Sequence, residues 1–374
     1  MKKSLLALAA MGAFAGAAHA QSSVTVSGLL EAGYTSKDVR AVGSTTTNVK
    51  QSAITSGHVA TPNFTFSGRE DLGGGLSAGF FIQEEFDTAT GTVDTSGSSL
   101  KLSQTFVTLG SNQFGSINVG SKNHTTRDIG GVYRFMGDIG RLNTNFNLTN
   151  NFGNTVEYVS PAISGFSASV GYGNADKTVT NSADTNVSPA SLTTVGIQGK
   201  VGNAAIGVAH ETNRFVGASV GADNPVLTQI TAGGSFDFGM AKVGLVYANQ
   251  EYKLAGGAEG GKRTAMGFHL AAPVTKVITL GASYTTYLVK PVAAGAAEPK
   301  ADIVTVGAQY AFSKRTSIYG SYQVVTNSGA ANALAGVAAG SINGGTASSS
   351  RGLGVMETTG QTTNGFGLTA VHTF

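Results

Sequence analysis

The sequence predicts an all-β fold, a 16-stranded antiparallel transmembrane β-barrel, and three observations lead to this class. Apolar and polar residues alternate with a period of two over sixteen segments, which is the side-chain period of a β-strand. Only 12% of the residues are charged and 53 of the 374 are glycines, which fits a large β structure with many turns. After residue 20, no apolar run could cross a bilayer as a helix, so a membrane-resident chain would have to close a barrel.

The first twenty residues predict a secretory signal peptide. Lys2 and Lys3 form its basic start, residues 5–18 are a short apolar stretch, and Ala18-His19-Ala20 is a typical cleavage site. The apolar stretch is too short for a transmembrane anchor. We therefore expect cleavage after residue 20 and a single barrel domain over residues 21–374. Because the chain contains no cysteine, disulfides do not hold the exported protein together.

The connections between the predicted strands alternate between long and short. Tight turns such as 72–75 and 111–114 alternate with long loops such as 36–61, 123–153 and 327–360. This alternation is typical of an outer-membrane barrel with short periplasmic turns and long extracellular loops. An even strand count also allows the first and last strands to pair and remove the sheet edge. The predicted strands lie at roughly 24–35, 62–71, 76–86, 100–110, 115–122, 154–160, 165–173, 191–200, 203–211, 227–238, 241–253, 263–272, 275–288, 302–312, 316–326 and 361–374.

The stretch FTFSGREDLGGGLSAGFFI, residues 64–82, indicates what each strand face meets. Phe64 and Phe66 alternate with Thr65 and Ser67, and the glycines at 73–75 form the turn of a hairpin. Sixteen strands enclose a lumen that is too wide for side chains to fill. The polar face therefore lines a water-filled interior and the apolar face points to lipid, whereas a soluble β-sandwich would bury its apolar faces against each other.

Five segments carry a resemblance to a known family. They are residues 68–76 (GREDLGGGL), 105–120 (TFVTLGSNQFGSINVG), 155–164 (TVEYVSPAIS), 302–322 (DIVTVGAQYAFSKRTSIYGSY) and 368–374. Together and in this order, they resemble the Gram-negative trimeric general porins of the β-proteobacterial type. The resemblance implies a homotrimer in the outer membrane of a Gram-negative bacterium. It also implies that the barrel-assembly machinery reads the last strand, which ends at Phe374.

The resemblance further implies that the loop after the fifth strand, about residues 123–153, folds into the lumen and narrows it. This loop holds a dense group of charges in a sparsely charged chain. In porins of this type, acidic loop residues face a basic cluster on the wall, and the field between them sorts solutes. The loop residues implied to form the constriction are Arg127, Asp128, Arg134, Asp138 and Arg141.

The barrel wall departs from the family pattern at several pore-facing positions. Asn63, Gln104 and Val371 stand where proteins of this type often carry arginine, so strong anion selectivity does not follow from the resemblance. Glu31 and Glu157 face inward by strand parity and would draw cations into the lumen. The residues predicted to line the pore from the wall are Lys122, Glu31, Glu157, Gln104, Asn63 and Arg69.

These features predict a general diffusion channel for ions and small hydrophilic solutes. A substrate-selective porin is an alternative that would need an aromatic track along the lumen, for which Phe81, Phe106 and Tyr287 are the candidates. A barrel enzyme is a further alternative, but the sequence singles out no Ser/His/acid set, so we expect no enzymatic activity.

The remaining expectations concern cofactors and partners. The histidines are scattered without metal-ligand spacing, so we expect no cofactor, while structural calcium held by acidic loop residues stays open. The expected partners are two further copies of the chain, outer-membrane lipid and lipopolysaccharide, the barrel-assembly machinery and small solutes. Removing the signal peptide leaves a nearly neutral chain, which does not suggest a nucleic-acid partner.

Overall fold

The computed structural model describes residues 23–41, 49–93, 102–132, 151–174, 189–215, 225–290, 292, 298, 300–328 and 361–374. The predicted signal peptide and the constriction residues Arg134, Asp138 and Arg141 lie outside the described residues. In the described ranges, no helix has the length and apolar character needed to cross a membrane.

The described residues form strands and two short helical segments, α1 (Thr125–Val132) and a 3₁₀ turn at Ala255–Gly257. The strands are β1 (Ser23–Ala41), β2 (Val49–Thr55), β3 (Asn63–Gly73), β4 (Leu76–Asp87), β5 (Thr92–Val93), β6 (Leu102–Ser111), β7 (Gly115–Asn123), β8 (Asn151–Val159), β9 (Phe166–Asn174), β10 (Pro189–Val201), β11 (Ala204–Phe215), β12 (Val226–Asp237), β13 (Lys242–Lys253), β14 (Glu259–Pro273), β15 (Ile278–Lys290), β16 (Lys300–Ala311), β17 (Thr316–Ser328) and β18 (Gln361–Thr373).

The strands close into one antiparallel ring. The first and last strands pair, with Leu29 opposite Thr373 and Ala41 opposite Gln361, so the sheet has no free edge at this seam. Two segments lie outside the simple count of sixteen. β2 and β3 share one ring position because both pair with β1, and the two-residue β5 pairs only with the end of β4. The ring therefore has sixteen positions, which confirms the predicted barrel.

The two faces of the barrel have opposite chemistry. Val24 and Val26 on β1 are 66% and 56% exposed on the outside, whereas Glu31 on the inward parity of the same strand is 1% exposed. The hairpin of β3 and β4 follows the same rule, with Phe66 and Phe80 outward and Thr65 buried on the inner side. Apolar side chains on the outside of such a ring contact the hydrocarbon of the membrane. The predicted arrangement, with the apolar strand faces toward lipid, is therefore confirmed.

The turn between β3 and β4 explains why this stretch is so rich in glycine. Gly73, Gly74 and Gly75 all have positive φ angles, of 80°, 61° and 81°, which residues with a Cβ adopt only at a cost. The Asp71 carboxylate accepts a hydrogen bond of 2.9 Å from the N–H of Gly73 and holds the turn in place.

Candidate functional site: the lumen and its inward elements

Helix α1 is the first part of the predicted constriction loop, and it packs inside the barrel. It directly follows β7 and contacts the inner wall formed by β10 to β13. Its Ile129 is fully buried, and a Cβ added at Gly207 of β11 would lie 2.9 Å from Ile129 Cγ1. A Cβ at Gly196 of β10 would similarly lie 2.6 Å from Thr125 Cγ2. The wall therefore admits the helix because it carries glycine at these two positions, and the described start of the loop folds inward as predicted.

A buried carboxylate on β11, Glu211, anchors the beginning of the loop. Glu211 accepts hydrogen bonds from His124 Nδ1 at 3.2 Å and Thr126 Oγ1 at 2.6 Å, and also from Asn213 Nδ2 at 2.7 Å. Its side chain is completely buried. Glu211 was not among the residues predicted from the sequence. The available signal was that Glu211 is the acidic residue of β11 and lies at an inward position.

A second carboxylate, Glu157 on β8, ties the end of β7 to the wall. Lys122 Nζ lies 2.7 Å from Glu157 Oε2, and Asn118 Nδ2 donates to the same oxygen at 3.2 Å. Thr125 Oγ1, in α1, is 3.5 Å from Oε1 of the same carboxylate. The structure thus brings together Lys122 and Glu157, which were predicted as separate pore-lining charges. Placed as an ion pair, they largely cancel each other's field in the lumen.

The two described constriction charges, Arg127 and Asp128, are adjacent in α1. Arg127 donates a hydrogen bond to Oδ1 of Asn123, the last residue of β7. Burial raises the pKa of Asp128 above its ordinary value, although the nearby Lys122 and Arg127 cations act in the opposite direction. Asp128 therefore holds its proton more strongly than an exposed aspartate does.

A neutral ladder of amides covers the wall at β3, β4 and β6. Gln83 bridges its neighbours, because its Nε2 lies 3.4 Å from Asn63 Oδ1 and its Oε1 lies 3.2 Å from Gln104 Nε2. Gln104 Oε1 in turn accepts a hydrogen bond of 3.1 Å from the backbone N–H of Asn123, at the start of the constriction loop. Two positions at which the resemblance led us to expect arginine are therefore joined into one uncharged network.

Arg69 and the aromatic candidates lie elsewhere on the wall. Arg69 is exposed near the turn end of β3, opposite Ser23 and Gly79 in the ladder. Phe81 and Phe106 stack on each other across β4 and β6, with ring centroids 5.2 Å apart and an interplanar angle of 17°. Tyr287 is buried on β15, far around the ring from this pair.

Glu31 also faces the lumen, but backbone N–H groups surround its carboxylate. The chain between β2 and β3 bends inward, and the N–H groups of His58, Val59 and Ala60 all donate to Glu31; the bond from Ala60 to Oε2 is 2.6 Å. His58 Nε2 lies 2.9 Å from Ser321 Oγ on β17. The sequence pattern placed residues 56–61 in a long extracellular loop and gave no sign of this inward contact.

A closed antiparallel ring with an apolar exterior, an interior that carries many polar side chains and an inward helix defines a channel-type outer-membrane barrel. A family model described as Gram-negative porin matches residues 7–330 of the chain. Outer membrane porin protein 32 from Delftia acidovorans is 31% identical over 350 residues, which cover 87% of this chain and 90% of that protein. The chain belongs to the Gram-negative porin family, and the protein is an outer-membrane porin.

Solved structures with the same fold include the following two. An anion-selective porin from Comamonas acidovorans matches with a TM-score of 0.74 at 24% identity, covering 95% of this chain and all of that chain. The trimer form of OmpT, an outer membrane protein of Vibrio cholerae, matches with a TM-score of 0.63 at 16% identity, covering 94% and 99%. At these identities the likeness concerns the fold alone.

Proposed function

We propose that this porin is a general diffusion channel with only weak ionic selectivity. The observation that carries the proposal is the composition of the described inner wall, where uncharged side chains predominate. Buried inward positions on β10, β12, β13, β16 and β17 are occupied by Thr194, Thr231, Gln250, Thr305 and Gln323. Uncharged side chains at these positions add no net charge to the wall, which supports passive passage with weak selectivity.

Weak selectivity follows from how the described charges are arranged. Lys122 is paired with Glu157, Glu31 is surrounded by backbone donors, and Asn63 and Gln104 are neutral. The porin from Comamonas acidovorans is described as anion-selective. We propose a weaker anion preference for this chain, because amides occupy two of its wall positions where arginines would attract anions.

The test is the zero-current potential of the purified protein in a planar bilayer under a tenfold KCl gradient. We expect a value well below the limit of about 59 mV for ideal selectivity to one monovalent ion. Gln104→Arg should shift this potential toward anion preference, and Gln104→Ala is the matched control that should leave its sign unchanged. A near-ideal potential in the parent protein would contradict weak selectivity, and absence of ion conductance would refute the channel itself.

The alternative functions have less support in the described residues. A substrate-selective porin needs an aromatic track, and the stacked pair Phe81 and Phe106 is separated from Tyr287 by many strands. We propose that the protein has no enzymatic activity, since its relatives are porins and its buried carboxylates serve as anchors. Incubation with generic ester and peptide substrates, with no turnover above a heat-inactivated control, is the expected outcome.

We also propose that the chain acts as a homotrimer in contact with lipopolysaccharide and is exported with cleavage after Ala20. Wide apolar outer faces support a partner subunit on part of the wall and lipid on the rest. Phe374 follows the end of β18 and exchanges two backbone hydrogen bonds of 3.1 Å with Gly28, which supports its role as the end of an assembly signal. Chemical cross-linking of intact cells should give a trimer band, and N-terminal sequencing should begin at Gln21.

A further inference from the structure

The 56–62 segment, which joins β2 to β3, is longer than the wall requires. β1 pairs with β3 up to Leu29, opposite Asn63, and with β2 from Gly33, opposite Thr55. The three residues 30–32 of β1 are therefore matched by the seven residues 56–62. Because antiparallel strands pair one residue to one, four residues are in excess and the segment has to leave the plane of the sheet.

The excess chain turns inward, into the lumen. Its central residues have partners on the inner face of the barrel, among them Glu31 on β1, Ser321 on β17 and Val371 on β18. Val59 packs against Val371 together with Leu29 and Tyr319, and both valines are buried. The segment therefore covers the wall formed by β17, β18 and β1.

Charge-assisted hydrogen bonds hold the segment in this position. The Glu31 carboxylate receives three consecutive backbone N–H groups, an arrangement that binds an anion strongly where water is excluded. At the start of the segment, Ser56 Oγ donates to Asp87 Oδ1 at 2.9 Å and accepts from the N–H of Thr88 at 3.2 Å. The segment is thus tied to the wall through its first residue and its centre.

The wall beneath the segment leaves room for it. Gly367 of β18 lies under the imidazole of His58, and a Cβ built there would come within 2.4 Å of His58 Nε2. No larger residue could occupy position 367 without displacing the ring. This close approach is of the same kind as the contact of α1 with Gly196 and Gly207 on the other sector of the wall.

We propose that the 56–62 segment is a second constriction element, which narrows the pore from the side of β17, β18 and β1 independently of α1. Three strands, β14 to β16, separate this sector from the wall of β10 to β13 on which α1 packs. Solutes therefore pass between two inward elements rather than between one loop and a bare wall. The inference rests on the proposed channel function and concerns which residues set the width of that channel.

The first test is a deletion that restores the register. Removing residues 57–60 leaves Ser56, Thr61 and residue 62 opposite 30–32 of β1, and Pro62→Thr supplies the donor that a strand interior needs. We expect the single-channel conductance to rise by about twofold, because the conductance of a wide pore follows its open cross-section. A folded deletion variant, judged by heat-modifiable mobility on a gel, that conducts like the parent would overturn the inference.

The second test keeps the full chain and uses the absence of cysteine in the sequence. Ala60→Cys introduces a single thiol at a half-buried position of the segment, and Val26→Cys places the control thiol on the outer face. A bulky water-soluble thiol reagent should lower the conductance of the first variant in steps and leave that of the control unchanged. No block in Ala60→Cys would overturn the second constriction, whereas an unmodified parent that does not conduct would instead refute the proposed function.

Discussion

The sharpest prediction concerns Glu211, the buried anchor of α1. Glu211→Ala removes the acceptor for His124 and Thr126, the two residues at the start of the constriction loop. A hydrogen bond to a charged group is worth about 1.5–3 kcal/mol, so two such bonds contribute at least about 3 kcal/mol to the anchored state. We use the lower value because water in the lumen can hydrate the released donors. Since about 1.4 kcal/mol corresponds to a factor of ten, the detached population should rise roughly a hundredfold.

The assay for this prediction is single-channel recording, in which intermittent release of α1 appears as increased open-channel noise and altered mean conductance. Glu211→Gln keeps the size of the side chain and one acceptor oxygen, so its effect should be smaller. His210→Ala is the matched control, because His210 is the exposed outward neighbour on the same strand. If the folded Glu211→Ala variant showed no more open-channel noise than the parent, the Glu211 carboxylate would not be the anchor of the loop.

Three further predictions concern the same lumen. Gly207→Val should push α1 toward the centre of the pore and lower the conductance, because the added Cβ would lie 2.9 Å from Ile129 Cγ1. An unchanged conductance would show that the helix accommodates the larger side chain without narrowing the pore. Glu157→Gln should leave Lys122 without its anionic partner, so the zero-current potential should shift in the direction of anion preference. A shift in the direction of cation preference would contradict the pairing of Lys122 with Glu157. Burial lowers the pKa of His58 from 6.5 to about 4, so the neutral ring is favoured in the packed segment. Its stabilising contribution is present above pH 6.5 and is lost as the pH falls toward 4, so the conductance should rise over this range, and His58→Gln should abolish that rise.

Most of the fold could be predicted from local patterns. Alternation in segments such as 165–173 and 203–211 reports which side chains share a face, because the period of two is a property of each strand alone. The number of strands and the alternation of turns and loops then indicate a barrel whose lumen holds water rather than one filled by side chains. The resemblance of short motifs added the inward direction of the loop after the fifth strand, and the position of α1 agrees with it.

The candidate site could be predicted only in part. The inward parity of Glu31 and Glu157 followed from alternation, whereas the pore-wall positions of Asn63 and Gln104 were implied by the resemblance. In the structure, Glu31 and Glu157 make their contacts inside the barrel, and Gln83 joins Asn63 to Gln104 on the wall. Their partners did not follow, and Glu211 was missed entirely. A carboxylate at an inward position looks the same in sequence whether it meets water, a lysine or a row of backbone N–H groups.

The class of the protein is already specified by its amino-acid order, since strand period, turn glycines and scarce charge together require an apolar-outside barrel. The role of the inner charges depends instead on the folded ring. Glu31 reaches backbone donors 27 to 29 residues away and His58 reaches Ser321 from 263 residues away, because closing the ring brings the two ends of the chain together. Such contacts depend on register and on the depth to which each connection folds inward. Those quantities are set by the closed ring as a whole and are not encoded in any single strand.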